Sequence, residues 1–217
     1  MSLILEIQNL QKQFGKNTIV NVPEFFLSQS ESIAIKGESG SGKSTFLNLC
    51  AGILKASRGC IKVNEIALSN CSESERDHFR AKNIGYLHQQ FLLLQGFSAL
   101  ENLMIAMKIA GHVDEYFAYK LLEELGISHQ RNRLPKQMSV GEKQRLAIAR
   151  ALVNKPSLLL ADEPTASLDD ENSAVSIELL QKLSSDHKTA LLVVTHDTNV
   201  WNRFTTKIHW KEINQVK

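Results

Sequence analysis

The sequence predicts an α/β fold: a mostly parallel core sheet with helices on both faces, an antiparallel N-terminal part and a helical block inserted into the core. Three observations carry this expectation. From residue 32 onward, short apolar strand patterns alternate with helical ones, as crossover connections between parallel strands require. The N-terminal strand patterns have no helix between them, so they are expected to pair antiparallel. From about 98 to 155 the periodicity is mostly helical, and strand patterns stand on either side of that block.

Residues 3–9 alternate like a half-buried strand, and residues 18–27 form a second candidate. Residues 32–36 are a short apolar strand that runs straight into glycine-rich sequence. Residues 43–54 read as a helix with Phe46, Leu47, Leu49, Ile53 and Leu54 inward. Short strands follow near 60–68 and at 84–87. After the helical block, residues 157–161 are a continuous apolar run of buried-strand type. A helix near 171–185, a strand at 189–194 and a short strand near 206–210 complete the pattern. No repeat, low-complexity segment or flexible linker divides the 217 residues, so one domain over 1–217 is expected, with helices at about 91–155 as an inserted subdomain.

Composition narrows the function. Apolar residues are 43% and charged residues 22% of the chain, ordinary for a globular protein. A net charge of +2 does not suit a protein that holds nucleic acid by neutralising phosphates. Cys50, Cys60 and Cys71 are odd in number and form no CxxC pair, which argues for reduced thiols rather than a disulfide framework or zinc site. The N-terminus lacks the basic start and long apolar run of a secretory signal. No window approaches the roughly 20 apolar residues of a membrane span. Work at a membrane would therefore require docking on another chain.

The strongest local signal is Gly37-Glu38-Ser39-Gly40-Ser41-Gly42-Lys43-Ser44, followed by Thr45. It fits the phosphate-loop pattern G-x-x-x-x-G-K-[ST] and stands between a strand and a helix, as that pattern requires. Glycines let backbone N–H groups wrap phosphate oxygens, and the helix that begins near Lys43 adds its positive end. Lys43 is expected to reach the β- and γ-phosphates, and the Ser44 hydroxyl to hold Mg²⁺. Downstream, the apolar run 157–161 ends in Asp162 and Glu163. Ligands of open α/β sheets lie beyond the carboxyl ends of strands. There Asp162 is placed to hold Mg²⁺ through water, and Glu163 to polarise an attacking water. Ser139 with Glu142 three positions on is a capping box that starts a helix, and a helix start with a serine hydroxyl is an anion site.

Met138-Ser139-Val140-Gly141-Glu142, running on through Lys143-Gln144-Arg145, resembles the signature of the ABC ATPases, usually written LSGGQ. With the phosphate loop and the acidic strand end, it marks a resemblance over essentially the whole chain to this branch of the P-loop NTPases. The resemblance implies further roles. Gln89 corresponds to the Q-loop glutamine, a Mg²⁺ and water ligand that senses a membrane partner. Asp169, in Ser167-Leu168-Asp169, corresponds to the D-loop residue that reaches the opposite protomer. His196 corresponds to the switch histidine at the γ-phosphate, and Phe14 to the aromatic that stacks on adenine, although Phe14 would equally suit a core position. Ser139 and Gly141 would touch the γ-phosphate held by the other protomer. The signature departs from the family at Val140, where glycine is usual, and at Glu142, where glutamine is usual. A β-branched side chain at Val140 would restrict approach to the partner's nucleotide and slow turnover.

The segment from Phe91 through Phe97 to Asn102 is similar to the LolD, MacB and FtsE group, whose permeases have few spans and large external domains. The resemblance implies an ATP- and Mg²⁺-dependent subunit, closing as a head-to-tail homodimer. It would sit peripherally on the cytoplasmic side of the inner membrane, against a LolC-, MacB- or FtsX-like permease, with no nucleic-acid partner. The work done would be lipoprotein release, export or mechanotransmission. An amino-acid or other small-solute importer is the alternative, and a non-transport ABC ATPase a more distant one. Phe91, Leu92, Leu93, Phe97, Leu100, Leu103, Met104 and Met107 could line a groove for a permease helix, or pack within the helical block.

Overall fold

The structure, a computed structural model, describes residues 2–216. Strands β1 (Leu3–Phe14), β2 (Asn17–Ser28), β4 (Arg58–Val63) and β5 (Ile66–Ala67) form an antiparallel sheet in the order β2-β1-β4-β5. A second sheet is wholly parallel, in the order β6-β7-β8-β3-β9. It is built from β3 (Ser32–Lys36), β6 (Ile84–Leu87), β7 (Leu158–Asp162), β8 (Ala190–Thr195) and β9 (Thr206–His209). An antiparallel and a parallel part are both present as expected, but β4 and β5, which follow α1 in the chain, join the antiparallel sheet rather than the parallel one.

Strand periodicity explains how two cores share one sheet. Successive side chains of a strand point to opposite faces. On β7, Leu158 and Leu160 join one cluster while Leu159 and Ala161 join the other. On β8, Ala190, Leu192 and Val194 face one side, and Leu191 and Val193 the other. The first cluster fills the space between the two sheets around Phe46 and Leu47 of helix α1 (Lys43–Cys50). The second fills the opposite face under α3 (Ala99–Ile109), α4 (Glu115–Glu124), α5 (Val140–Leu152) and α6 (Asp170–Asp186). Each fully buried Leu or Val contributes about 1.5–3 kcal/mol, which holds β7 and β8 as the rigid centre of the fold. The helices between β6 and β7 share this cluster with the sheet.

Several elements differ from expectation. Helix α1 stops at Cys50, because Gly52 takes φ +66° and the amides of residues 51 to 53 close onto Leu47, Leu49 and Asn48. Ile53 is consequently 44% exposed rather than inward, and Leu54 is only partly buried. Helix α2 (Glu73–Asn83) was not signalled by periodicity, since none of its residues is fully buried and its polar sequence has no clear apolar stripe. It is held by a capping box between Ser72 and Glu75 and by Phe79 packed on the core. Short helices α7 (Thr198–Asn202) and α8 (Trp210–Ile213) were likewise unmarked. No helix among the described residues is long and apolar enough to cross a membrane. Cys50, Cys60 and Cys71 are all free thiols.

Candidate nucleotide site

Three adjacent strands deliver the site. In the sheet order β7-β8-β3, register sets Asp162 opposite Val194 and Lys36 opposite Thr195. The segments after Lys36, Asp162 and Thr195 therefore emerge side by side at the carboxyl edge. The first is the glycine loop 37–42, and α1 begins directly behind it at Lys43. Gly42 takes φ +99°, and a Cβ there would lie 2.9 Å from the Ile19 carbonyl oxygen, so no other residue fits. The loop is braced from outside: the Trp210 indole Nε1 donates to the Ser41 carbonyl at 2.8 Å, and Lys211 pairs with Glu38 at 2.8 Å. That pair holds the Glu38 carboxyl below its usual range.

Lys43 is buried, and its ammonium donates to the Gly37 and Glu38 carbonyls, each at 2.8 Å. Burial lowers its pKa, while Glu163 and Asp162 oppose that shift. Glu163 Oε1 lies 3.8 Å from the Lys43 ammonium and 2.9 Å from His196 Nδ1. Glu163 Oε2 accepts from the Thr195 hydroxyl at 3.0 Å and from the His196 backbone N–H at 3.2 Å. Glu163 has φ +46°, an unfavourable backbone for a residue with a Cβ. Asp162 is 9% exposed, and its Oδ1 has no hydrogen-bond partner among the described residues. Burial pushes its carboxyl above the ordinary 3.8; the Ser44 hydroxyl and Lys43 pull the other way, and Glu163 adds to the rise.

The structure thus brings together Lys43, Ser44, Asp162, Glu163 and His196. A cleft of about 490 Å³ opens beside them over Gly37, Glu38, Ser39 and His196. Phe14 is 50% exposed at the tip of the β1–β2 hairpin, with Lys12 Nζ 4.9 Å from its ring centroid; it is not a core residue. Gln89 is exposed two residues beyond β6, the strand beside β7. Ser139 caps α5: its hydroxyl accepts from the Glu142 amide at 3.3 Å, and the Glu142 carboxylate accepts from the Ser139 amide at 2.8 Å. Val140 is 46% exposed. A Cβ on Gly141 would meet nothing closer than Asn172 Oδ1 at 4.0 Å. Asp169 caps α6, accepting from the Asn172 amide at 2.8 Å, a bond that lowers its pKa. Ser139 and Asp169 are exposed at the starts of α5 and α6, with half-buried Gly141 in the first turn of α5, and among the described residues none of the three hydrogen-bonds to the phosphate loop.

Sequence reasoning did not find Thr195, Trp210 or Gln144. Gln144 is buried on α5 and donates to the Pro164 carbonyl at 2.6 Å, which ties α5 to the loop of the acids. A lone Thr, Trp or Gln carries no spacing signal, so only the fold shows these contacts. The apolar segment also needs correction. Leu93, Leu103 and Met107 are buried in the core and cannot line a groove, because the inward stripe of α3 packs on α4 and α5. Phe91 and Leu100 are partly buried against that core, while Leu92 and Phe97 are exposed. A cleft of about 520 Å³ lies on the neighbouring face of α3, between α2, β6 and α3, lined by Tyr86, Leu94, Ile105, Ala106 and Ile109 together with charged Asp77, Arg80 and Arg150.

The chain matches the model of the ABC transporter family over residues 20–166. The lipoprotein-releasing system ATP-binding protein LolD of Hydrogenovibrio crunogenus is 39% identical, over 90% of this chain and 88% of that protein. LolD of Saccharophagus degradans is 44% identical over 79% of this chain and 76% of its own length. Among solved structures, the dimeric bacterial ABC transporter cassette MJ0796 superposes with a TM-score of 0.85 at 30% identity, covering 95% of this chain and 94% of the other. Its post-hydrolysis state, bound to ADP and phosphate, gives 0.84 at 32% identity, with the same coverage. The chain is therefore a member of the ABC transporter family, an ATP-binding and ATP-hydrolysing subunit of an ABC complex.

Proposed function

We propose that this chain supplies the energy for lipoprotein release, working as a homodimer on the cytoplasmic face of the inner membrane against a LolC-like permease. The observation that carries the ATPase mechanism is the convergence of Lys43, Asp162, Glu163 and His196 at the ends of three neighbouring buried strands. The likeness to LolD proteins over most of the chain supports the choice of cargo.

In this reading ATP lies on the phosphate loop, with adenine against exposed Phe14. Lys43 exchanges two neutral carbonyl acceptors for charged oxygens of the β- and γ-phosphates, a stronger set of bonds. Unpartnered Asp162 Oδ1 and the Ser44 hydroxyl form an all-oxygen donor pair suited to Mg²⁺. Among the described residues no cluster of three His, Cys, Asp or Glu ligands forms a complete metal cage, and Mg²⁺ bound with a nucleotide needs only one or two protein oxygens. Gln89 would complete the set from β6. When bound, Mg²⁺ neutralises charge that develops on the phosphates. Glu163 takes a proton from the attacking water, whose oxygen bonds to the γ-phosphorus. The bond to the bridging oxygen then breaks, and its electron pair leaves with ADP. His196, joined to Glu163, faces the γ-phosphate.

One chain provides half of each site. Ser139 and Asp169, exposed at the starts of α5 and α6, and half-buried Gly141 would meet the partner protomer's nucleotide. The groove between α2, β6 and α3 would receive a helix of the permease; it borders both α5 and the strand before Gln89, so closure at the nucleotide would move it. A tagged Glu163→Gln variant, extracted from membranes in mild detergent with ATP and Mg²⁺, tests the assignment. A few-span permease with a large external domain is expected to co-purify. A many-span permease with a solute-binding protein would instead make the chain an importer subunit.

A further inference from the structure

Thr195 ends β8 and is 1% exposed. Its hydroxyl accepts from the Asp197 backbone N–H at 3.0 Å and donates to Glu163 Oε2 at 3.0 Å. A hydroxyl has one proton to give. The amide N–H can only donate and an ionised carboxylate can only accept, so the hydroxyl takes the amide on a lone pair and gives its proton to the carboxylate. The His196 N–H reaches the same carboxylate oxygen at 3.2 Å. Two donors from the end of one buried strand therefore saturate Oε2. The other oxygen, Oε1, faces Lys43 and His196 Nδ1, on the phosphate side. Closing the turn at Asp197 accounts for the hydroxyl as an acceptor. It does not account for the donated bond to the carboxylate of a residue held at φ +46°, a backbone state that persists only where neighbours fix it.

We propose that Thr195 is a positioning residue for hydrolysis: it anchors Oε2 of Glu163, so that Oε1 is the atom that receives the proton of the attacking water. The inference rests on the reading of Glu163 as the water-polarising group. The protein reaction is unchanged: water adds to the γ-phosphorus, its proton passes to Oε1, and ADP departs with the electron pair of the broken bond. Thr195 is 1% exposed and acts through the carboxylate it holds.

The test uses the full chain with ATP and Mg²⁺. Thr195→Val keeps the shape and removes the hydroxyl. Its kcat should fall about tenfold to a hundredfold, the scale of a misplaced reacting group, while KM for ATP stays within about twofold, since the phosphate loop is untouched. Thr195→Ser should restore kcat to within about threefold of the parent. Adding Thr195→Val to Glu163→Gln should cost nothing further, because positioning is empty without the base. Binding of a fluorescent ATP analogue checks the fold; should the valine variant fail it, Thr195→Ala takes its place with the same expectations. Unchanged kcat in the valine variant beside an inactive Glu163→Gln would overturn the positioning role and leave the base standing. Full activity in Glu163→Gln would remove the base itself. A fall in kcat that serine does not rescue would also overturn the proposal.

Discussion

At the scale of single residues, the chain separates positions whose demands are met within the protomer from positions whose demands lie outside it. Gly42 belongs to the first kind, since both its φ and the Ile19 carbonyl forbid a side chain. Gly141 belongs to the second. It sits in the first turn of α5 with no atom near its missing Cβ, so nothing in the chain itself requires glycine there. Gly141→Ala should leave the melting temperature unchanged or raise it, because alanine is favoured over glycine in a helix by up to about 1 kcal/mol. ATP-driven association and turnover should nevertheless fall by about tenfold or more, as the methyl group meets the partner's phosphate. Thermal melts set beside ATPase assays check both halves; a drop in activity that follows a drop in stability would remove the argument. Lys43, Asp162 and Glu163 were legible in sequence because spacing and strand context mark them. Thr195 was not, because a threonine at a strand end looks the same whether or not its hydroxyl meets a carboxylate across the sheet.

At the scale of elements, start signals were clearer than stops. Ser139 with Glu142 marked the start of α5; boxes of the same kind, Ser98 with Glu101 and Ser72 with Glu75, open α3 and α2. The end of α1 depended on the left-handed Gly52, and α2 escaped because capping and one aromatic, rather than an apolar stripe, hold it. The boxes also carry a pH dependence. Bonds from the Ser98 backbone amide and then its hydroxyl hold the Glu101 carboxyl below its ordinary 4.5. With the folded value lowered, this stabilisation is present above pH 4.5 and is lost as pH falls through the folded value. Glu101→Gln keeps an amide oxygen for the Ser98 N–H but cannot titrate. Its acid-unfolding curve should be shallower than the parent's below pH 4.5, followed by circular dichroism. Equal slopes in the two proteins would show that the box contributes nothing to acid sensitivity.

At the scale of the whole molecule, alternating strands and helices gave away the parallel sheet, and the absence of helices between the N-terminal strands gave away the β1–β2 pairing, but not that β4 and β5 join it. What stayed hidden was how the pieces share cores: one sheet face supports α3 to α6 together, and the other closes on the antiparallel sheet through α1. Such sharing is a property of three-dimensional packing that periodicity within one segment does not encode. It also explains why the apolar residues of 91–107 divide between core and surface. The starts of α5 and α6 are the whole-molecule side of the proposed dimer, in which Ser139, Gly141 and Asp169 would offer groups to a nucleotide held by the partner protomer. The most direct measurement is the mass of Glu163→Gln in solution with ATP and Mg²⁺, by gel filtration with light scattering, at increasing protein concentration. A shift to twice the monomer mass, reversed when ATP is removed, is the expected result. A protein that stays monomeric with ATP bound at one per chain, while the parent hydrolyses ATP at a rate per chain independent of concentration, would contradict the composite dimer site.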